Sequence, residues 1–410
     1  MMKILNMLSG WFVGLFRVWR REFSLVFRDQ GVMLFFLALP TVYPLVYALI
    51  YNPELIRDVA VVVVDNSRTA ESRHLVRMLD ATEPVGIVGY AANKAEAKRA
   101  MHEKKCYGVV EIPADYGRRI GRGETANVSF YCDMSLLLRY RQFTMALTQV
   151  QIAAGAEIQQ RTLADLGLPA AALASQGPPL NVSQQFVGDP SQGFSSFIMP
   201  GILMLILQQS VVLGACMIAG AASERRRRNG GFDPLGIDAP ATATVVGKTL
   251  CYVAIMLPMV IYTLHVVPWI FKFPAYGSIV DELLFVVPYL LAVSVFGLSL
   301  SVFVTERESS FLVIVFTSVI FLFLSGLTWP RYAMSGPWQL IGACVPATWG
   351  VQGFVHINSD NASLALQSAS YTNLWILTVV YFVAASIIFR FHRPKRGSAD
   401  FPGGQTLSQE

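Results

Sequence analysis

Few residues of this chain have the types and spacing that catalysis requires. Gly247-Lys248-Thr249 matches the tail of a phosphate-binding loop, but Thr242 stands where that loop needs a glycine, and an apolar run follows. The sequence contains neither H-E-x-x-H nor G-x-S-x-G, its cysteines form no C-x-x-C, and its five histidines are dispersed. We therefore predict no catalytic residue, no metal site and no enzymatic activity in this chain.

Three polar residues lie inside apolar runs, where a polar group is costly unless it faces protein or a water-filled cavity. They are Gln208, Gln209 and His265, which we predict to face the protein interior or a transport path. For His265, and for His356 in a later loop, packing and contact with a substrate both stay open. The apolar runs hold no acidic–basic series of the kind that relays protons, which argues against an ion-driven transporter.

The most informative charged residues are Arg225–Arg228. They end an apolar run, Phe194–Ala222, that is long enough to cross a bilayer. Four arginines cannot lie in hydrocarbon, and the positive-inside rule places them in the cytoplasm. Residues 223–246 are therefore predicted to be the longest cytoplasmic loop between membrane spans. A plain topology anchor is the alternative role for the arginines.

The composition is typical of a membrane protein. Of the 410 residues, 54% are hydrophobic and only 14% are charged, whereas soluble domains carry about a quarter charged residues. The net charge of +5 comes from basic residues that cluster beside apolar runs. This arrangement indicates contact with lipid head groups, and we predict no nucleic-acid partner.

We predict a polytopic α-helical membrane protein with six transmembrane helices and an inserted α/β domain outside the cytoplasm. Residues 1–30 are predicted to form an amphipathic helix, which lies in the membrane interface or packs on the protein's own membrane domain. Residues 31–51 hold the first span, residues 194–390 the other five, and residues 391–410 a tail. Both termini are predicted in the cytoplasm of a bacterial inner membrane. The predicted spans are Val32–Tyr51, Phe194–Ala222, Val245–Phe271, Leu283–Val304, Phe311–Leu327 and Leu374–Phe389.

Residues 52–193 have mixed charge, turn signals and alternating strand and helix patterns, which favour an α/β domain with a long helix. Asp65 and Asp133 follow two of the strands, where we expect turn caps rather than site residues. Cys106 and Cys132 fall in this domain, where a disulfide is an option. The predicted strands are Asp58–Val64, Val85–Val88, Cys106–Ile112 and Asn127–Tyr131, and the predicted helices are Thr69–Leu79, Lys94–Glu103, Ala114–Ile120 and Leu136–Leu166.

Residues 328–359 are rich in tryptophan and proline. Prolines 330, 337 and 346 break the segment into pieces too short to span a bilayer. We predict outer half-helices that dip part-way into the membrane, with a flat aromatic belt as the alternative. The residues assigned to them are Trp329, Pro330, Pro346 and Trp349.

This organisation resembles the ABC-2-type permease family, in its subgroup with a large outer domain between the first two spans. Arg20–Phe23 and Phe27–Asp29, just before the first span, are similar to the family's connecting helix. Leu324–Gly326 and Val345–Phe354 resemble its outer half-helices before the last span. The resemblance covers nearly the whole chain, and the layout carries more of it than any single motif.

The resemblance implies that the loop after the second span docks on a separate ABC ATPase. In the family this loop often reads Glu-Arg-Glu-x-Gly-Thr. Here Glu224 and Arg225 match, but Arg226, Arg227 and Arg228 replace the rest. The loop residues that the resemblance assigns to coupling are these five together with Phe232 and Asp233.

An exporter subunit for an amphiphilic or hydrophobic compound is the function that the resemblance implies. The partners would be the ATPase, which would hold ATP and magnesium, and a second permease copy or homologue. A periplasmic adaptor is a further partner, and this chain itself would hold no cofactor. The alternative is a non-transporting envelope sensor or assembly scaffold that binds a ligand through the outer domain.

Overall fold

The computed structural model describes residues 2–52, 56–165 and 193–391. The chain divides into two compact units. Met1–Asn52 and Phe186–Glu410 form one of them, which we call the membrane unit, and Pro53–Gln185 form the inserted unit. The predicted linker at 167–190 lies outside the described residues, and so does the predicted tail from residue 392 onward.

Within the described ranges, six helices are long and apolar enough to cross a membrane, which confirms the predicted number of spans. An additional helix, Met2–Arg28, precedes them and is called the interfacial helix. The first to sixth spans are Gln30–Tyr51, Phe194–Arg228, Ala241–Phe271, Ile279–Phe303, Arg307–Leu324 and Ser368–Phe391. The second span is the core of the unit, because 83% of its most apolar window is buried, against 17–28% for the first, fifth and sixth spans.

The predicted loop at 223–246 is too long. Arg225–Arg228 form the last turn of the second span, and the third span begins at Ala241. Arginine is a good helix former, and basic side chains at a helix C-terminus oppose the negative end of its dipole. The connection between the two spans is therefore the shorter segment 229–240.

The fifth span ends earlier than predicted. It stops at Leu324 rather than Leu327, because Gly326 adopts a φ of +87° that a helix cannot continue through. The fourth and sixth spans instead extend into their polar flanks by several residues. A hydropathy pattern detects only the apolar part of a helix, so it locates helix ends that lie in polar residues only approximately.

The first and third spans are irregular where they meet. Each contains a π-helical segment, Leu34–Ala38 and Tyr262–Val266 respectively. Pro44 lacks the N–H that would bond the carbonyl of Pro40, and the Thr263 hydroxyl donates to that carbonyl instead, at 3.2 Å. The neighbouring span thus satisfies a backbone group that the proline leaves free.

The segment after the fifth span forms short helices, as predicted. A single 3-10 turn, Arg331–Ala333, is followed by Gly336–Ala343 and Pro346–Asp360, which we call the two half-helices. Their axes are bent by 87° relative to one another. Proline starts each of them within its first two positions, where its missing N–H costs nothing.

In the inserted unit, the described residues contain four strands, β1 Val59–Asp65, β2 Val85–Tyr90, β3 Gly108–Ile112 and β4 Ser129–Cys132. They form one sheet in the order β2-β1-β3-β4, in which β1 pairs in parallel with β2 and β3, and β4 pairs antiparallel with β3. The helices are Ala70–Asp80, Lys94–His102, Tyr116–Gly121 and Leu137–Asp165. Each lies within a few residues of a predicted element.

The aspartates at the strand ends are turn caps, as expected. Asp65 Oδ1 accepts hydrogen bonds from the amides of Ser67 and Arg68, and Asp133 Oδ1 accepts one from Ser135. Cys106 is buried and Cys132 half-buried, and both are free thiols, so the optional disulfide does not form here.

Candidate functional site

The candidate site surrounds Asp233, in the connection between the second and third spans. The Asp233 side chain is only 4% exposed and forms ion pairs with Arg225 (2.9 Å) and Arg21 (3.1 Å). Burial alone would raise the pKa of the Asp233 carboxyl, but hydrogen bonds and charge from Arg225, together with the Leu235 amide and Arg21, lower it below its usual value. Asp233 therefore stays ionised and ties the interfacial helix to the end of the second span.

The local sequence explains the shape of this connection. Gly230 and Gly231 adopt φ values of +61° and +99°, which glycine reaches without steric cost. Asp233 then accepts a hydrogen bond from the Leu235 amide through Oδ1, at 3.1 Å, and one from the Gly236 amide through its carbonyl, at 2.8 Å. The result is a compact turn that leaves the Phe232 side chain 59% exposed.

The C-terminal end of the second span also contacts the start of the fifth span through hydrogen bonds and an ion pair. Glu224 accepts a hydrogen bond from the Arg307 amide at 2.8 Å, which satisfies one of the free N–H groups of that helix N-terminus. Arg227 pairs with Glu306 at 2.8 Å and donates to the Thr305 carbonyl at 3.0 Å. Arg307 forms a further ion pair with Asp29, at the start of the first span.

Gly220 lets the two helices approach closely at this point. A Cβ atom there would lie 2.8 Å from the backbone carbon of Glu306, so no larger residue fits without moving the fifth span. The interfacial helix and the second and fifth spans are thus connected around one set of charged residues. A displacement of the connection at 229–240 would reach all three.

A separate, buried ion pair connects the interfacial helix to the third span. Glu22 is fully buried and pairs with Lys248 of the third span, whose side chain is 12% exposed. This pair was not predicted. It leaves in place the expectation that the apolar runs hold no acidic–basic series, because Glu22 lies on the interfacial helix outside the spans. It consists of one pair at a span end rather than a series. It also gives Lys248 a structural partner unrelated to phosphate binding.

The predicted coupling residues divide into two groups. Glu224, Arg225, Arg227 and Asp233 form hydrogen bonds or ion pairs inside the unit, although the Arg227 side chain is itself 55% exposed. Phe232 and Arg228 are exposed, and their side chains have no such role among the described residues. Arg226 is half-buried, and its Nε has no hydrogen-bond acceptor within the described part of the chain. The coupling role of these residues stays a prediction. Arg21, the partner of Asp233, lies 212 residues away along the chain, and the sequence gave no signal for this pair.

The predicted path residues do not form one cluster. Gln208 is buried, and its Oε1 accepts a hydrogen bond at 2.8 Å from the Ala347 amide, at the start of the second half-helix. Gln209 is half-buried, and its amide atoms have no hydrogen-bond partner among the described residues. His265 lies elsewhere: its Nδ1 is 3.7 Å from Glu282.

Glu282 is a buried carboxylate that sequence reasoning missed. Its side chain is 2% exposed and accepts a hydrogen bond from Asn358 at 3.2 Å. The available signal in the sequence is that Glu282 directly precedes the apolar run predicted as the fourth span, where a helix can begin before the run does. Because that helix begins at Ile279, four residues earlier, Glu282 falls inside it.

The residues assigned to the half-helices brace them. Trp349 Nε1 donates to the Ala343 carbonyl at 2.9 Å, and the Arg331 guanidinium lies 4.6 Å from the Trp349 ring centroid. Pro346 begins the second half-helix, Pro330 precedes the 3-10 turn, and Trp329 is exposed. These contacts fix the bend between the half-helices.

Comparison with known families gives one result. Residues 31–387 match the profile of the ABC-2 family transporter proteins, which spans both units described above. No curated protein sequence matches the chain. Permeases of this family are multi-pass membrane components that normally work with an ATPase partner, and the six spans agree with that architecture. By this match over most of its length, the chain belongs to the ABC-2 family of transporter proteins.

Proposed function

We propose that this chain is the permease subunit of an ATP-driven exporter that moves an amphiphilic or hydrophobic compound, such as a drug-like molecule or a lipid. Family membership supports a transport role. The exporter assignment rests on one observation, the exposed turn at Phe232, which Asp233 ties to the interfacial helix and to the end of the second span. An ATPase that binds this exposed turn could transmit its movement to the helices that the turn contacts.

The exposed residues of the turn have the character of a docking surface. Phe232 and Leu235 are large apolar side chains at 59% and 47% exposure, and Arg228 lies exposed beside them. Aromatic and arginine side chains supply most of the binding energy at protein interfaces. We propose that Phe232 enters a pocket of the ATPase while Arg226 and Arg228 contact its acidic groups.

The remaining partners follow from this role. The ATPase would hold ATP and magnesium on the cytoplasmic side, so the arginine end of the second span would face the cytoplasm of a bacterial inner membrane. Phe316 and Phe323 of the fifth span are more than half exposed, which would suit a second copy or homologue packed beside it. A periplasmic adaptor would bind the inserted unit.

The test is a Phe232→Ala variant of the full chain, reconstituted with a co-encoded ABC ATPase. We expect ATPase binding to weaken by about thirtyfold, since truncating an anchor residue costs about 2 kcal/mol. Stimulated ATP hydrolysis and transport of a fluorescent amphiphile in proteoliposomes should fall with it. Phe12→Ala is the matched control, because Phe12 is equally exposed at 62% but lies on the interfacial helix.

Two results would contradict the proposal. One is unchanged ATPase affinity for Phe232→Ala, which would remove the docking role of the turn. The other is a full chain that binds no ATPase at all, with ligand binding retained by the inserted unit alone. That second result would favour an envelope sensor or scaffold.

A further inference from the structure

An open groove runs along the interfacial helix where this helix meets the second and fifth spans. Its volume is about 660 Å³, within the range of small-ligand sites. Four guanidinium groups from three different elements line it. They belong to Arg21 and Arg28 of the interfacial helix, Arg225 of the second span and Arg307 of the fifth span.

The positive charge of the groove is only partly neutralised. Asp233 pairs with Arg21 and Arg225, and Asp29 pairs with Arg307, so two carboxylates face four guanidinium groups and leave a surplus of +2. Arg28 is exposed and forms no ion pair with any residue that the structure describes. The Arg21 Nε is buried without a hydrogen-bond acceptor among those residues. The groove therefore carries an excess of positive charge that suits an anionic ligand.

The position of the groove indicates which class of anion it would bind. The interfacial helix exposes Phe23, just before the groove-lining Ser24, and Phe27, just before the groove-lining Arg28. The rings of the two phenylalanines pack with their centroids 4.7 Å apart. Exposed aromatic stripes of this kind lie at the boundary between head groups and acyl chains. The first span begins at Gln30, so the groove opens at the depth of the head groups.

We propose that this groove binds the phosphoryl group of an anionic phospholipid, with Arg28 and Arg21 as its principal donors. Arginine's planar fork matches phosphate oxygens in a bidentate geometry, and it carries its charge at every physiological pH. The lipid's acyl chains extend along Phe23 and Phe27. This inference does not depend on transport or on an ATPase partner.

Lipid binding by the purified full chain in detergent tests the proposal. Native mass spectrometry measures the retention of phosphatidylglycerol and of phosphatidylcholine, for the wild type and for Arg28→Gln. We expect the wild type to prefer phosphatidylglycerol and Arg28→Gln to bind it about fivefold more weakly, as one basic residue contributes about 1 kcal/mol near an anionic lipid. Arg20→Gln is the matched control, since it removes the same charge from an exposed position outside the groove and should change retention less than twofold.

Equal losses in Arg28→Gln and Arg20→Gln would overturn the proposal, because binding would then reflect net charge. Displacement of the lipid by millimolar inorganic phosphate, with the same dependence on Arg28, would assign the groove to a free anion and overturn the lipid source. Unchanged lipid retention combined with weaker ATPase binding in Arg28→Gln would make the groove an ATPase contact. Equal melting temperatures of both variants in phosphatidylcholine exclude misfolding as the cause of any loss.

Discussion

Asp233 connects residues that are far apart in the chain. Its carboxylate joins Arg21, before the first span, to Arg225, at the end of the second, and its own backbone shapes the turn that exposes Phe232. A single side chain therefore controls both the docking of the interfacial helix and the geometry of the proposed ATPase contact.

We expect Asp233→Asn to reduce the free energy of unfolding by about 2 kcal/mol, because two charge-assisted contacts lose their anion. The melting temperature of the purified protein should fall accordingly. The lowered pKa of Asp233 means that its stabilisation is complete above the unfolded pKa of about 3.9 and is lost as pH falls through the lower folded value. The difference between variant and wild type should thus stay constant from pH 8 to about pH 5 and shrink only in stronger acid. Melting curves across this range, with the exposed Glu308→Gln as control, provide the measurement; a difference that vanishes near neutral pH would contradict it.

At the residue level, the sequence predicted a basic run at the end of the second span but not the contacts that its arginines make. Arg225–Arg228 form a recognisable basic run, yet Arg225 and Arg227 are used internally while Arg228 faces outward. This division depends on the partners Asp233 and Glu306, which only the folded chain brings near. A charged residue in a sequence must lie near water or near an opposite charge, but the sequence alone does not show which of the two applies.

The interfacial helix has different contacts on different faces. Val18, Glu22 and Val26 recur at every fourth position and are buried, while Phe12, Phe16 and Phe23 are exposed. The Glu22–Lys248 ion pair lies on the buried face and connects this helix to the third span. Of the two alternatives for residues 1–30, packing on the membrane unit is observed on the buried face, whereas lying in the membrane interface stays a prediction for the exposed face.

We expect Lys248→Met to be strongly destabilising, by about 3–5 kcal/mol, because it leaves the buried Glu22 carboxylate without a counter-charge. The double variant Glu22→Gln/Lys248→Met should recover most of that loss, since no unpaired charge remains. Thermal unfolding of single and double variants in the same detergent measures the coupling. Additive losses would show that the pair is not coupled.

At the level of elements, apolar runs predicted which segments cross the membrane, and proline positions predicted the broken segment at 328–359. The helix ends could not be predicted as well. Arg225–Arg228 continue a helix that hydropathy ends at Ala222, and Glu282 lies inside a helix that was predicted to begin after it. The backbone hydrogen bonds of a helix continue into polar residues, so an apolar run locates the helix but not its ends.

At the scale of the whole chain, the two units have separate cores. The inserted unit buries Val61, Val63 and Phe143 in one cluster of its own, on one face of the sheet. Its alternating strand and helix patterns were readable because each strand is bounded by turn residues such as Asp65. The four-strand order was not readable, since it depends on pairing between distant segments.

We expect Pro53–Gln185, expressed without the rest of the chain, to fold cooperatively, because it is a compact unit with its own buried core. Circular dichroism should show mixed helix and strand with a single melting transition. Val63→Asp, a buried charge in β1, is the matched control that should abolish the transition. A fragment that stays unfolded while the full chain is folded would contradict the independence of the unit.

The second span continues without a break from the outermost turn to the arginines that contact the fifth span. At about 1.5 Å per residue, its 35 residues reach about 52 Å, well beyond the hydrocarbon thickness of about 30 Å. It resembles a stiff rod pinned near its middle, where Gln208 holds the amide of Ala347. Any tilt imposed on one end must reappear, reversed, at the other, so the two surfaces of the membrane are mechanically linked through a single piece of backbone.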